Sequence, residues 1–359
     1  MITVRLPATG IAGAVVGPCF AHLRRLSDDT GLFEHARGAV PRREHGYCLD
    51  DVARGLLVLC REPEPEPDLV ALAETYLAFT AHAQSPGGAF HNRLGHDRRW
   101  HDEPGVGDWW GRALWGLGTA AARGPAPWIR DPARAMFESG ARLRSPWVRS
   151  TAFAALGAAE ILAVDPGCHA ARNLLSDAAE LIGAPSGNPA WPWPEERLGY
   201  ANAALAEVRI AAGHLLGDDS VLADGLTLLG WLLEQETVDG HLSLTPAGGR
   251  GRDQKAPGFD QQPIEAAALA DACARAFAVT GDARWSAGVA LAVGWFLGEN
   301  DSRTSLADEH TGGCCDGLER RGRNENQGAE STLALISALQ HRRHFTGQSA
   351  TASVLTLPA

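Results

Sequence analysis

The chain alternates short and long connections between stretches with helical periodicity, and this alternation restricts the folds that it can adopt. Apolar residues, mostly Ala and Leu, recur at helical spacings in about twelve stretches. The expected helices lie near residues 18–27, 47–61, 68–84, 108–122, 129–143, 149–164, 166–182, 200–216, 219–234, 262–280, 283–298 and 326–345. Short connections such as 62–67 alternate with long ones such as 85–107. If successive helices run antiparallel, all the long connections lie at the same end of the molecule.

Six antiparallel helix pairs that close into a ring form an all-α (α/α)6 toroid, with the even-numbered helices on the inside. An open solenoid and an irregular helical protein are the alternatives with the same pattern. Few stretches have strand character, and the best of them is Leu242–Thr245. Because no low-complexity linker divides the chain, we expect residues 1–359 to form a single domain. The small and polar residues 347–359 predict a frayed tail.

The composition of the chain argues against several classes of protein. A net charge of −11 argues against a general nucleic-acid binder, and no apolar run is long enough to span a bilayer. Residues 1–20 make a poor signal peptide because Pro and Gly interrupt their apolar stretch, so a cytoplasmic location is expected. The seven scattered cysteines include no Cys-x-x-Cys pair, which predicts reduced thiols. We expect neither a metal site nor a cofactor.

Unusual polar residues cluster where long connections enter the inner helices. These segments are residues 46–51, 108–112, 149–151, 200–202, 260–265 and 324–331. If the helices begin at the same end of a toroid, the segments converge on one polar pocket. The 11 Trp residues, against 3 Tyr, suit packing and also offer flat surfaces for sugar rings. The pattern predicts an enzyme that acts on a polyhydroxylated substrate.

Carboxylates in these segments are the candidates for catalysis. One carboxylic acid would protonate a glycosidic oxygen, and one carboxylate would activate water. The catalytic candidates are Asp51, Asp108, Asp260 and Glu330. The substrate-binding candidates are Asp50, Trp109, Trp110, Arg112, Trp193, Tyr200, Asn202, Gln261, Gln262, Glu265, Asp316, Asn326 and Gln327. Helix capping is the competing explanation for the acids, and an ion pair between Asp50 and Arg54 would be purely structural.

Taken together and in this order, the motifs resemble those of bacterial six-hairpin glycosidase-like proteins, which are often described as glycosyltransferases or glycosyltransferase-associated. The similarity spans about residues 42–339 and rests on segments 45–54, 108–115, 193–202, 259–266, 311–318 and 326–331. It implies an α/α toroid and carbohydrate chemistry. Three positions depart from the family pattern: Val52 replaces Asn, Gly107 replaces Glu and Ala201 replaces Asp.

The sequence therefore predicts a carbohydrate-active enzyme, specifically a glycoside hydrolase with an oligosaccharide or glycoside as its substrate. A non-catalytic carbohydrate-binding or glycosyltransferase-associated module is the alternative that the three departures favour. An isoprenoid or peptide cyclase is a further alternative, because such enzymes also use α/α toroids. The Asp-x-Asp-Asp signature of terpene cyclases is absent, and Cys314 and Cys315 lack the second Cys pair or spaced His residues of a zinc site.

Overall fold

The computed structural model describes the backbone of residues 17–354 and the side chains of residues 17–345. Twelve α-helices lie within this range, close to the positions that the periodicity predicts. They are α1 (Ala21–Arg25), α2 (Leu49–Cys60), α3 (Pro67–Ala83), α4 (Asp108–Arg123), α5 (Pro127–Gly140), α6 (Val148–Val164), α7 (His169–Ile182), α8 (Asn202–Leu216), α9 (Asp219–Gln235), α10 (Pro263–Thr280), α11 (Ala283–Phe296) and α12 (Ala329–Val354). The predicted frayed tail is helical as far as Val354, and residues 355–359 lie outside the described part, as do residues 1–16.

The even-numbered helices form a closed inner ring. Each of α2, α4, α6, α8 and α10 packs against the next even-numbered helix, and α12 returns to contact α2. Helices α3, α5, α7, α9 and α11 each pack outside the inner helix that precedes them, and α1 packs against α12. The predicted (α/α)6 toroid is confirmed, and the open solenoid is excluded because the ring closes. All six inner helices begin at the end of the ring that carries the long connections.

Small residues allow the inner helices to approach closely. Gly118 on α4 lies so near α6 that a Cβ atom at this position would be 2.2 Å from the backbone oxygen of Gly157. The inner helices are rich in Ala and buried on almost every side, because each contacts two inner neighbours and an outer helix. Three of them, α6, α8 and α10, have little amphipathic character for this reason, whereas α2 and α4 remain amphipathic.

The long connections contain more strand than the sequence predicts. Within residues 17–354 there are six two-stranded antiparallel sheets. They pair β1 (Ala36–Arg37) with β2 (Val40–Pro41), β3 (Tyr47–Cys48) with β4 (Arg93–Leu94), β5 (Arg197–Leu198) with β8 (Arg250–Gly251), β6 (Thr237–Val238) with β7 (His241–Leu242), β9 (Ala307–Asp308) with β10 (Gly313–Cys314), and β11 (Gly317–Glu319) with β12 (Gly322–Asn324). The predicted strand Leu242–Thr245 is wrong beyond Leu242, since the amides of Leu244 and Thr245 donate to side chains of Gln261 and Glu236 instead.

At the opposite end of the ring, an ion network fills the space between the ends of the inner helices. Arg275 contacts Glu160 at 3.2 Å and Glu207 at 2.8 Å, while Arg61 contacts Asp271 at 2.6 Å. Within residues 17–354, no helix combines the length and the apolar character needed to cross a membrane.

Candidate active site

A wide polar cleft opens at the end of the ring where the inner helices begin. Its empty volume, counted up to the open mouth, is ≈ 1570 Å³. Seven acidic side chains and three guanidinium groups line it. They are Glu34, Asp50, Asp51, Asp108, Glu265, Asp316 and Glu330, with Arg54, Arg93 and Arg112. The structure thus brings together polar residues from the starts of α2, α4, α10 and α12, as well as Tyr200 immediately before α8.

Arg54 on α2 organises one wall of the cleft. Its guanidinium group forms ion pairs with Asp50, with Asp51 at 3.0 Å and with Glu330 at 2.8 Å, although Glu330 belongs to the last inner helix. Burial opposes ionisation of Asp50, but the neighbouring Arg54 and Arg112 outweigh it and hold the pKa of that carboxyl below its usual value. For Asp51, burial dominates and raises the pKa well above its usual value. The pKa values of these adjacent acids are therefore shifted in opposite directions.

Arg112 on α4 is a buried cation at the base of the cleft. Its side chain is only 6% exposed, and its guanidinium carbon lies 3.6 Å from the centre of the Phe153 ring. Burial and the nearby Arg54 lower its pKa. The closest carboxylate is that of Asp50, 3.6 Å from Nε. This pair is too long for a hydrogen bond, so Arg112 retains N–H groups for a ligand oxygen.

Glu265 on α10, the inner helix next to α12, also lines the cleft and is held by the start of α8. Its Oε1 atom accepts a hydrogen bond of 2.5 Å from the backbone N–H of Ala201, and Asn202 provides longer contacts of 3.4 Å. The left-handed backbone of Ala201, with φ of 46°, begins the helix at this point. Burial raises the pKa of Glu265 to about 8. Glu265 is therefore mostly protonated at neutral pH, despite the favourable helix start.

Asp108 and two aromatic side chains form the side of the cleft at α4. The carboxylate of Asp108 accepts hydrogen bonds from Ser150 Oγ at 2.5 Å and from the Tyr200 hydroxyl. The Trp109 indole N–H donates to the Phe90 carbonyl at 2.7 Å, which fixes the ring against the preceding loop. A Cβ atom at Gly107 would lie 2.3 Å from the Trp109 ring. A Glu at position 107 would therefore require Trp109 to move.

A second cluster lies at the edge of the cleft near β3. Ligand atoms of Glu34, Cys48 and Asp51 lie within 4.8 Å of one another and could hold a metal ion. However, Glu34 forms an ion pair with Arg93 and Asp51 with Arg54, so guanidinium groups already supply positive charge there. The sequence prediction that the protein needs no metal stays a prediction.

The structure does not bring every predicted catalytic or stacking residue to the cleft. Asp260 is exposed in the connection before α10 and does not line the cleft. Trp110 is completely buried and donates to the Gly140 carbonyl, because its position on α4 turns it towards the outer helices. Trp193 is also buried, and its ring stacks on Trp231 with centroids 6.0 Å apart. The prediction that Trp110 or Trp193 holds a sugar ring is wrong for this geometry.

Four predicted substrate-binding residues instead hold loops in place. Gln261 is fully buried and accepts from the Trp295 indole N–H, while Gln327 is 4% exposed and donates to Asp308. Asn202 accepts from the backbone N–H of Gly199, and Asn326 accepts from that of Gly38. None of the four lines the cleft. The other predicted binding residues do: Asp50, Trp109, Arg112, Tyr200, Gln262, Glu265 and Asp316.

Several lining residues come from long connections and carry no sequence motif. They include Glu34, His35, Asn92, Arg93 and Thr245. Pairing of β3 with β4 places Arg93 opposite Cys48, immediately before α2. The position of Arg93 at the cleft therefore depends on a pairing between strands that are distant in sequence. Two-residue strands leave too weak a sequence pattern for that pairing to be predicted.

Comparison with known proteins adds evidence for the fold. No family model matches the chain, and no curated protein matches it. The predicted (α/α)6 toroid is also the fold of solved structures that the chain resembles.

Three solved structures illustrate the similarity of fold. A cellobiose 2-epimerase from Spirochaeta thermophila has a TM-score of 0.68 at 12% identity, covering 91% of this chain and 93% of its own. A sugar epimerase from a ruminal bacterium has a TM-score of 0.67 at 10% identity, covering 90% and 95%. A GH76 α-mannanase from Bacteroides thetaiotaomicron has a TM-score of 0.64 at 9% identity, covering 92% and 95%. At such identities the similarity establishes the fold alone.

Proposed function

We propose that the protein is a glycoside hydrolase that cleaves an oligosaccharide, with one carboxylic acid and one carboxylate as its catalytic groups. One observation carries the proposal. A single cleft contains a carboxyl group kept protonated by burial, Glu265, and two carboxylates paired with Arg54, those of Asp50 and Glu330. A protonated carboxyl group and a carboxylate in the same cleft are suited to the roles of acid and base.

Glu265 is the proposed general acid. With a pKa of about 8, it carries a proton at neutral pH and can transfer it to the glycosidic oxygen as the bond to the anomeric carbon breaks. The Ala201 amide, which already donates to Oε1, would stabilise the carboxylate that this transfer leaves behind. Among the proposed catalytic residues, Glu265 is the one that the sequence analysis had placed only among binding residues.

Glu330 is the proposed general base. Its side chain is 40% exposed, and the contact with Arg54 occupies Oε2. The other carboxylate oxygen is available to take a proton from a water molecule that attacks the anomeric carbon. Attack from the face opposite to the departing oxygen predicts inversion of configuration. Asp51 and Asp108, which the sequence offered as catalytic candidates, are proposed here to bind sugar hydroxyls.

The proposal is tested by incubating the protein with gluco- and manno-oligosaccharides of both anomeric configurations and following the products by NMR. We expect new reducing ends, and a decrease of about 10²–10⁴ in rate for Glu265→Gln and for Glu330→Gln. Glu207→Gln is the matched control. Glu207 is also buried, and burial also raises its pKa, but it pairs with Arg275 and does not line the cleft.

Two outcomes would contradict the hydrolase, and a third would contradict only the assignment of the acid. Epimerisation of a reducing sugar without cleavage would indicate the reaction that the names of the similar epimerases describe. Binding without any turnover would favour a carbohydrate-binding module. Cleavage by Glu265→Gln at the parent rate would show that Glu265 is not the acid.

A further inference from the structure

The connection between α5 and α6, residues 141–147, is the shortest at this end of the ring, whereas the neighbouring connections span residues 84–107 and 183–201. Beside this short connection lies an open groove with an empty volume of ≈ 1310 Å³. We call it the rim groove. It is lined by residues 105–109, 146–149, Glu195 and Tyr200.

The rim groove borders the cleft. Asp108, Trp109 and Tyr200 line both spaces, so the two spaces meet at these three side chains. Three aromatic side chains line this boundary and the groove beyond it. Trp109 and Tyr200 stand at the junction, and Trp147 follows at the outer end with 65% of its surface exposed.

Hydrogen bonds hold the inner part of the groove in place. Arg149 forms an ion pair with Glu195, with Nη2 to Oε2 at 2.7 Å, and its Nε donates to the Tyr200 carbonyl at 2.8 Å. The Arg149 guanidinium also lies 5.5 Å from the centre of the Tyr200 ring. The Tyr200 hydroxyl is fixed by Asp108 at the other end of the side chain. This preorganisation lowers the entropic cost of binding a ligand.

We propose that the rim groove is a second sugar-binding subsite, through which the substrate chain leaves the cleft past Trp147. The inference rests on the proposed function and specifies its substrate as an extended oligosaccharide. Exposed aromatic faces beside a carboxylate and a guanidinium match a sugar ring, which presents an apolar face and hydroxyl edges. Because the rim groove borders the cleft, its occupant would be the next sugar units of the same chain.

The test compares ligands of different length in the Glu265→Gln background, so that binding is measured without turnover. Calorimetry would give the Kd of mannobiose, cellobiose, mannohexaose and cellohexaose for this protein and for the same protein with Trp147→Ala. We expect either mannohexaose or cellohexaose to bind about tenfold more tightly than the disaccharide built from the same sugar. Trp147→Ala should remove that gain and leave the Kd of the disaccharide unchanged.

Trp128→Ala is the matched control. Trp128 is also 65% exposed, but it lies at the start of α5, at the end of the ring opposite the cleft. The subsite would be overturned if Trp128→Ala weakened hexasaccharide binding as much as Trp147→Ala does. Equal Kd values for the disaccharide and the hexasaccharide, or no binding of either, would also overturn it. The subsite and the hydrolase can fail separately. If the hexasaccharide binds more tightly and this gain requires Trp147, the subsite is supported. If the parent protein nevertheless cleaves neither glycan, the hydrolase is refuted.

Discussion

Replacing Glu265 with Gln should change how the stability of the protein depends on pH. Burial raises the pKa of this carboxyl from the usual 4.5 to about 8. The folded state therefore holds a proton that the unfolded chain releases near pH 4.5. Stability associated with this group is fully present below that pH and is lost as the pH rises towards and through about 8.

The magnitude follows from the pKa values. A tenfold change in proton affinity corresponds to about 1.4 kcal/mol, so the free energy of unfolding should fall by up to about 5 kcal/mol across this range. Glu265→Gln removes the ionisation but keeps an oxygen that can accept the N–H of Ala201. The variant should therefore be similar to the parent near pH 5 and more stable than the parent near pH 9.

Urea unfolding followed by circular dichroism at several pH values measures this difference. Glu64→Gln provides a control for the loss of an exposed carboxylate, since Glu64 lies on the surface between α2 and α3. Parallel pH profiles for the parent and Glu265→Gln would refute the argument, because they would mean that Glu265 ionises as easily in the fold as in the unfolded chain.

Three further results are expected. Gly118→Ala should destabilise the fold by about 1–3 kcal/mol, because the added methyl group would clash with Gly157. Gly230→Ala, on α9 with no neighbour closer than 3.9 Å, should stabilise the fold by up to about 1 kcal/mol. Urea titration measures both changes, and equal effects of the two variants would contradict the packing. Arg54→Met should cost about 3–5 kcal/mol by leaving three carboxylates without their cation, and a smaller loss than for Glu64→Gln would argue against the ion pairs. A thiol reagent should modify one cysteine quickly, Cys19, and all seven only after denaturation; rapid labelling of a second thiol would contradict the burial of the other six.

The helices were predictable because their signals are local. Periodic apolar residues, Gly at 217 and 281, and Asp at 218 and 282 specify where helices begin and end within one turn. The alternation of connection lengths then determines which helices lie inside, since antiparallel neighbours leave few ways to close the ring. For this reason the fold followed from the sequence almost completely.

The candidate site was predictable only in part. Asp50, Asp51, Asp108 and Glu330 could be found because they stand at helix starts on one end of the ring. The direction of a side chain was not predictable in the same way. Trp109 points to the cleft, whereas the adjacent Trp110 points to the outer layer of helices. The sequence alone does not show which of the two faces the cleft. The protonation of Glu265 depends on its burial against the start of α8, and Ala201 there lies 64 positions earlier in the chain.

The ion pair between Arg54 and Glu330 joins residues that are 276 positions apart. During synthesis, α2 leaves the ribosome long before α12, so the wall of the cleft that contains both side chains cannot form until the last inner helix has emerged. Until then Asp50, Asp51 and Arg54 face an open gap in the ring. The nascent chain is therefore expected to remain without activity through most of its translation, and a polypeptide that ends before α12 should be inert towards glycans even if its earlier hairpins have folded.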